Sequence, residues 1–588
     1  MTYSRKEISN HIDEVVKESF GGLLAFRRGQ REAIETTIYN WLNGTHDEII
    51  NAPTGSGKSI IAMIVAAVLS KYYGKSGYIL VSDKSLIEQY EKDVKKHFRN
   101  WSVITGQQNY KCHVNGLPFT TGVCKVKGVR KYSEIKQKFS HCAGSCRYII
   151  ERDKAIQSKV LVCTYAFWLI QQNLVKKKIE GCPPFTSRDF TICDEAHNLI
   201  DIVQNHFSPK LSDNDLPKIK SVLSRGCDDS DDIFNNILDI RHDAISATSN
   251  SGIKDALKRY VVAFNDVIDA ADTVNRSFSD DENKNKKLSN DDKELIKNVD
   301  FVEEHFESFN EYYYMIKEVG DDCIIRNETE NGYIFNCINE SYLMKNHFHK
   351  HCENKLYMSA TIGSFDRFAK NCDIKDYDSI DIPSSFHFEQ SPIFYVPDYK
   401  LSYKEKEQNL PKVLAMIDAV AKMYKGQRGI IQTGSYSFSK YILDNISDET
   451  RKRIVIYNDT KEKSESLMFF KKMKDKILIG PSLVEGLSFD DDLCRFQIIM
   501  KVPYPSLNDN FVKKKMEING QWYSDTAAIS ILQGVGRGIR SSTDWCVTFI
   551  FDGCFTQLAR RSYDMFSDSF KNRVKIIKPS DILGYAMI

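Results

Sequence analysis

Three groups of residues in this chain have the types and spacing for phosphate chemistry. Ala52, Pro53, Thr54, Gly55, Ser56, Gly57, Lys58 and Ser59 follow two isoleucines and open an apolar run, Ile60 to Leu69. Strand, glycine-bearing loop and helix start is the order in which loop N–H groups and a helix dipole cradle phosphate oxygens. Lys58 would reach the outer phosphates of a nucleoside triphosphate, and the Ser59 hydroxyl would bind Mg2+. Asp194 and Glu195 end a second apolar stretch, Phe190 to Cys193. Asp194 would hold the magnesium there, and Glu195 would orient and deprotonate the attacking water. Arg537 and Arg540, on one face of a helix and flanked by Gly534, Gly536 and Gly538, complete the set. Guanidinium groups brought from a second domain would contact the γ-phosphate only on closure, with Gln533 one turn earlier. Upstream, Gln30 offers a donor and an acceptor that suit an adenine edge, with Arg27 or Phe26 to stack beside it.

These side chains need strands and helices to aim them. Tyr78–Ser82, Val160–Thr164 and Phe190–Cys193 read as strands, and Lys84–Phe98 as an amphipathic helix with Leu86, Ile87, Tyr90 and Val94 at helical spacing. Alternation of this kind builds a parallel sheet covered on both faces. Lys355–Met358 returns as a strand that delivers Ser359, Ala360 and Thr361. From about residue 383 a second unit begins, with strands at Gly429–Gln432, Ile454–Tyr457, Ile477–Gly480, Gln497–Met500 and Val547–Phe551. Between the units, Leu257–Ala271 and Leu295–Tyr314 read as amphipathic helices around a charged, solvated loop, Ser277–Asp292. Cys323–Arg326 and Tyr333–Ile338, joined across Asn331-Gly332, suggest a hairpin.

The alternation breaks from Trp101 to Lys154, where Cys112, Cys124, Cys142 and Cys146 fall in a basic, loop-rich segment. So little apolar material gains from metal ligation, and tetrahedral thiolate sets hold zinc or an iron-sulfur cluster. Spacings of 12 and 18 residues between the first three do not choose between them. Lys125, Lys127, Arg130 and Lys131, with Tyr110 and Tyr132 interleaved, are candidates for phosphate and base contacts on a nucleic acid.

Composition narrows the class. The 588 residues carry 81 basic and 79 acidic side chains, a net charge of +2, so any nucleic-acid surface must be local. Charges interrupt Met1–Phe20 and exclude a signal peptide there, and no apolar run reaches membrane-spanning length. With no secretory or membrane segment, a soluble intracellular protein is expected, its 15 cysteines free or metal-bound. No nuclease-type segment is expected before Phe20.

In joint order, Ala52–Ser59, Asp194–His197, Ser359–Thr361 and Gln533–Arg540 resemble motifs I, II, III and VI of superfamily 2 helicases. Gly106, Asn109, Tyr110 and Cys112, then Cys146, Arg147, Tyr148, Arg152 and Ala155, are similar to the two ends of the cluster domain in the XPD/DinG group. The resemblance implies an α/β fold: two RecA-like parallel-sheet motor domains with an iron-sulfur insert and a mainly helical Arch insert. By it, motor domain 1 occupies 1–100, 158–197 and 353–382, the cluster domain 101–157, the Arch 198–352 and motor domain 2 383–588. It implies ATP, Mg2+ and a [4Fe-4S] cluster on Cys112, Cys124, Cys142 and Cys146, with zinc as the alternative. His197, Ser359, Thr361 and Glu485 would couple the nucleotide to movement, and Gly486 would contact ATP. Where the family has Glu-Gly-x-Asp, Ser488 follows Glu485, Gly486 and Leu487, with Asp490 beyond. The expected activity is ATP-driven movement on single-stranded DNA and unwinding of forked DNA, 5' to 3' by family, by a cytoplasmic or nucleoid-associated monomer of cellular or viral origin. The rival readings are an ATP-switched clamp and a motor on RNA or RNA-DNA hybrids.

Overall fold

Short apolar strands separated by helices bury both faces only when they pair in parallel and the helices cover each side. The computed structural model describes all residues except 1–2, 23, 45–46, 127–134, 138–141, 143, 175–184, 280–288, 385–387, 458–459, 483–490, 536–543 and 586–588. Seven strands form the sheet of a first lobe in the spatial order Asp378–Asp381, Asp47–Asn51, Asn354–Ser359, Phe190–Asp194, Gly77–Val81, Val160–Thr164 and Ser102–Val103. Every neighbouring pair is parallel. The second lobe repeats the plan with Ile454–Ile456, Ile477–Gly480, Gly429–Gln432, Phe496–Ile499, Val547–Ile550, Ile393–Tyr395 and Val574–Ile576, again all parallel.

The helix that follows the glycine-bearing loop, Lys58–Tyr72, is buried without a break from Ile61 to Leu69. A helix apolar all round must be enclosed, and this one lies between the sheet and the helices Arg5–Phe20 and Gln30–Asn43. Its partners across the sheet plane include Ile50, Ile79, Val81, Val162 and Ile192, all fully buried. The helix Lys84–His97 starts at Asp83, whose carboxylate accepts from the N–H groups of Ser85 and Leu86 at 2.8 and 3.1 Å.

Two inserts leave the first lobe. The segment from 101 to 157 holds short helical turns at Gln107–Asn109, Phe119–Thr121 and Val123–Val126, then a helix Arg147–Gln157. The segment between 198 and 353 carries four longer helices, of which Asn250–Ser279 and Asn290–Val319 have 30 residues each. Ser289 and Asp292 cap the last reciprocally, each side chain bonding the other's backbone N–H. The two helices therefore run well past the ranges read from sequence and take up both ends of the supposed charged loop. The hairpin is present as Ile324–Thr329 and Gly332–Cys337, with Lys210–Ser212 added as a third antiparallel strand. Five strands were not foreseen: Ser102–Val103, Lys210–Ser212, Asp378–Asp381, Ile393–Tyr395 and Val574–Ile576. No helix among the described residues is long and apolar enough to cross a membrane.

One buried carboxylate sets a pH dependence for the first lobe. Glu48 is fully buried, lies opposite Asp378 in the pairing register, and accepts from the Asn40 amide at 2.6 Å. Burial raises its pKa to about 7, the Asn40 hydrogen bond opposes this, and Asp378 and Asp47 add to the rise. Its folded pKa exceeds the unfolded value, so the native state holds the extra proton and loses stability as pH climbs from about 4.5 to 7. Glu48→Gln removes the charge and keeps the shape. Thermal melting should find the variant indistinguishable from the parent at pH 4 and more stable at pH 8, by up to about 3 kcal/mol.

Candidate nucleotide-binding cleft

The phosphate loop leaves the sheet at Asn51 and re-enters regular structure at Lys58. Gly55 and Gly57 have φ of 80° and 79°, the left-handed region that a side chain resists. Gly57 carries a second constraint, because a Cβ there would lie 2.4 Å from the Gln30 Nε2. That amide donates to the Ser56 carbonyl at 2.6 Å, and the Gln30 Oε1 accepts from the Arg27 N–H at 2.6 Å. Gln30 is 2% exposed. It braces the back of the phosphate loop. Arg27, by contrast, is exposed and lines the cleft with Pro53, Thr54, Gly55, Gly57, Lys58 and Ser59.

Asp194 ends the neighbouring strand and is almost wholly buried. Tyr90 donates its hydroxyl to the Asp194 carboxylate at 2.9 Å, and Tyr165 donates to the Asp194 carbonyl at 3.0 Å. Burial, reinforced by the adjacent Glu195 charge, raises the Asp194 pKa, while Lys58 and Tyr90 pull it down. A site that strains to carry its own negative charge is suited to a divalent cation. Glu195 has φ of 53°, one of three non-glycine residues in the left-handed region among those described. Strain of this kind persists only where neighbours enforce it, and it clusters at functional sites. The turn aims the Glu195 carboxylate at Lys58, whose Nζ lies 3.1 Å away.

The other side of Glu195 continues into a chain of polar contacts. His197 Nδ1 lies 2.7 Å from the Ser359 hydroxyl and 3.4 Å from the Glu195 Oε2. Ser359 accepts from the Thr361 N–H at 3.1 Å. Glu195, His197, Ser359 and Thr361, expected from sequence at the carboxylate box and at the Ser-Ala-Thr stretch, are therefore one connected group. Tyr90 and Tyr165 were missed as site residues, since each reads as an ordinary core aromatic, and nothing in the spacing marks its hydroxyl.

The second lobe faces this group across a cleft of about 1850 Å³. Gln533, near the end of the helix Gly520–Val535, lines it together with Asp564, Met565 and Phe570. Arg537, Arg540, Glu485 and Gly486 lie outside the described residues. A bridge across the lobes was also missed. Arg367, on the short helix Phe365–Asn371, holds Asp525 of the Gln533 helix at 2.6 Å and also pairs with Asp564. Asp525 is 4% exposed and takes further hydrogen bonds from Gln521 and Ser562, both at 2.8 Å.

In the first insert, Cys112, Cys124, Cys142 and Cys146 are all buried. Burial raises the Cys124 thiol to about 11, and Cys142, Cys146 and Cys112 each add to the rise, so the four come within electrostatic reach of one another. Among the described residues no three His, Cys, Asp or Glu side chains stand in a metal-ligating arrangement. The donor set is of the kind that ligates as thiolate, and all four side chains are buried. Tyr110 is not an exposed platform for a base: it is 9% exposed, packed edge-on to Tyr148, and accepts from the Thr105 N–H at 3.3 Å. Lys125 extends over the Phe119 ring, and Lys127, Arg130 and Lys131 lie outside the described residues.

Known proteins share this layout. Residues 419–573 match the family described as Helicase C-terminal domain, and residues 23–212 match that described as Type III restriction enzyme, res subunit. The chain is 25% identical over 229 residues to the ATP-dependent DNA helicase YoaA of Haemophilus influenzae, covering 37% of this chain and 35% of that one. It is 26% identical over 148 residues to the ATP-dependent DNA helicase CHL1 of Vanderwaltozyma polyspora, covering 20% and 18%. The matches thus span about a third or less of these relatives' own length. Among solved structures, an XPD helicase superposes with a TM-score of 0.63 at 17% identity, over 95% of this chain and all of that one. The S. tokodaii Xpd4 structure superposes with a TM-score of 0.54 at 15% identity, over 94% and 100%. The helicase C-terminal match, the two helicase relatives and the common two-lobed fold agree with the motif order in likening this chain to the XPD/DinG group of superfamily 2 helicases.

Proposed function

We propose that this chain is an ATP-dependent DNA helicase that moves 5' to 3' along single-stranded DNA and separates a forked duplex. The observation that carries the reading is the Lys58–Glu195 ion pair at 3.1 Å, set in a cleft whose far wall holds Gln533. An incoming triphosphate offers Lys58 a stronger anion and so frees the Glu195 carboxylate to take a proton from water. Ser59 and Asp194 are the groups that would hold Mg2+, which screens the phosphate charge when bound. Loss of the Lys58 contact also reaches His197 and Ser359 through Glu195, a route by which nucleotide state is felt at the strand end. Arg537 and Arg540 are proposed as the arginines that meet the γ-phosphate on closure, and Glu485 and Gly486 as further contacts from the second lobe. Melting one base-pair step costs about 1.4 kcal/mol on average, within reach of a nucleotide-driven cycle.

We also propose that Cys112, Cys124, Cys142 and Cys146 hold a [4Fe-4S] cluster, which would staple an insert with little core of its own. The purified chain should then be brown, with a broad visible band and about four irons per molecule by this stoichiometry. Cys142→Ser should bleach it and lower the melting temperature of the insert. Stoichiometric zinc in a colourless protein would replace this assignment.

Removal of the phosphate-loop cation tests the motor itself. Lys58→Ala should lower DNA-stimulated ATP turnover by about 10²-fold or more and abolish displacement of a strand from a forked duplex. Glu195→Gln should still bind ATP while losing turnover to a similar extent. Retention of unwinding by Lys58→Ala would refute the helicase reading. Turnover without strand separation on substrates of either tail would leave the ATP-switched clamp, and the same substrates in RNA test the hybrid motor.

Arg367→Met removes the bridge between lobes and touches none of the nucleotide groups. A charged hydrogen bond of this sort is worth about 2 kcal/mol, or roughly thirtyfold in the balance of closed to open forms. DNA-stimulated kcat should fall by about that factor, while binding of ATP to the first lobe, followed by titration of a fluorescent analogue, stays within about twofold.

A further inference from the structure

One buried hydroxyl of the first lobe is aimed at a carboxylate that carries chemistry. The helix Lys84–His97 turns Ile87, Tyr90 and Val94 into the core, and the first and last are aliphatic, as a core face requires. Tyr90 is 0% exposed and brings a polar atom into that face. A buried hydroxyl has to find a partner, and most side-chain hydrogen bonds of this kind end on backbone. Tyr78 does so, donating to the Thr186 carbonyl at 2.7 Å. Tyr90 instead reaches across 104 residues of sequence to the Asp194 Oδ2, at 2.9 Å.

Asp194 is thereby held at each of its oxygens. Oδ2 accepts from Tyr90, Oδ1 accepts from the Glu195 N–H at 3.0 Å, and the carbonyl accepts from Tyr165 at 3.0 Å. The torsion that turns a carboxylate is broad and soft when left alone. Here the two contacts sit on different oxygens, so a turn about the Cβ–Cγ bond breaks both. Each oxygen keeps a further lone pair, and the 3% of Asp194 that stays exposed opens on the cleft that Lys58 and Ser59 also line. The type of donor matters as well. A tyrosine hydroxyl orients the group without adding charge, so Asp194 keeps its negative charge for a cation, whereas lysine or arginine in that place would neutralise it. Tyr90 does not itself line the cleft and acts on a ligand only through Asp194.

We propose that Tyr90 is a positioning residue for the divalent cation of the nucleotide site, fixing the rotation of the Asp194 carboxylate and so raising the site's affinity for magnesium. The proposal rests on the reading of Ser59 and Asp194 as the groups that hold Mg2+, and it adds a residue behind them. Hydrogen-bond partners behind a metal-binding side chain typically account for about 10- to 100-fold in metal affinity.

The test compares the full chain with its Tyr90→Phe and Tyr78→Phe variants. Mn2+ stands in for Mg2+, and its binding is counted from the EPR signal of the free ion, with protein in excess over a non-hydrolysable ATP analogue. Tyr90→Phe keeps the ring, removes one oxygen, and should weaken Mn2+ binding by about tenfold or more. The Mg2+ concentration that half-saturates DNA-stimulated ATP turnover should rise by the same factor, with kcat at saturating Mg2+ within about threefold of the parent. Tyr78→Phe also deletes a buried hydroxyl of this sheet, and it should leave Mn2+ affinity within about twofold. Binding of a fluorescent analogue in EDTA should be the same for all three, since the phosphate loop is untouched. Unchanged Mn2+ affinity in Tyr90→Phe would overturn the proposal. So would an equal loss in Tyr78→Phe, which marks a general loosening of the lobe, or a loss in EDTA as large as that seen with Mn2+. These results leave Ser59 and Asp194 as magnesium holders, whereas a parent that takes up no Mn2+ with the analogue bound sinks that reading and this proposal together.

Discussion

Three adjacent parallel strands that end at one edge of a sheet constrain everything in the cleft. Asp47–Asn51 pairs with Asn354–Ser359, which pairs with Phe190–Asp194, residue against residue. The register puts Asn51 level with Ser359, and Asp194 level with Met358. Ala52, the first residue of the phosphate loop, donates its N–H to the Ser359 carbonyl at 2.8 Å. Loops that leave a parallel sheet at the carboxyl ends of its strands meet in one crevice, which is where such folds bind ligands. Lys58, Glu195, His197 and Ser359 come from segments far apart in the chain, and that register alone makes them neighbours. A slip of one residue in any of the three strands would turn every side chain to the opposite face and dissolve the site.

Within that frame, the resting cleft stores its charges in pairs. Lys58 neutralises Glu195, Tyr90 and the Glu195 N–H satisfy Asp194, and Arg367 bridges Asp525 and Asp564 across the lobes. Arg367 joins the two lobes at the rim of the cleft through Asp525 and Asp564.

Much of this could be read from residue order. Short apolar strands alternating with helices gave the parallel sheets, because full burial on both faces leaves a continuous apolar run that few other elements share. The phosphate loop and the carboxylate box were legible because their chemistry demands fixed spacing within a few residues. What escaped had no local signature. Asp378–Asp381 is a polar edge strand, exposed along most of its length, and its pairing follows only from the register of its neighbour. Ile393–Tyr395 has three residues, too few for a period. Arg367 is one cation on a seven-residue helix, and its partners lie more than 150 residues away, so only the folded chain joins them. Gln30 meets backbone groups of Arg27 and Ser56, which every residue carries and no sequence pattern advertises.

The second insert, with its hairpin Ile324–Thr329 and Gly332–Cys337, is tied to the second lobe by the same logic of long-range pairing. Lys515, on the helix Asn510–Ile518, forms an ion pair with Glu340 and lies 4.1 Å from the Trp522 ring centroid. Both charged side chains are largely buried, at 6% and 15% exposure. Beside them the Asn327 side chain of the hairpin accepts from the Phe511 N–H at 3.2 Å, and Asn510 donates to the Arg326 carbonyl at 3.2 Å. Burial raises the Glu340 pKa and Lys515 opposes it, so the carboxylate depends on that one ammonium to stay charged out of water. Separating the helix Asn510–Ile518 from Glu340, which opens the helix Glu340–His347 just after the hairpin, would leave one buried charge uncompensated, a far larger penalty than loss of an exposed pair. The insert therefore cannot be treated as an appendage of the first lobe alone. It grips both lobes, and any rotation of the second lobe that opens the nucleotide cleft must either carry the hairpin along or break this buried pair.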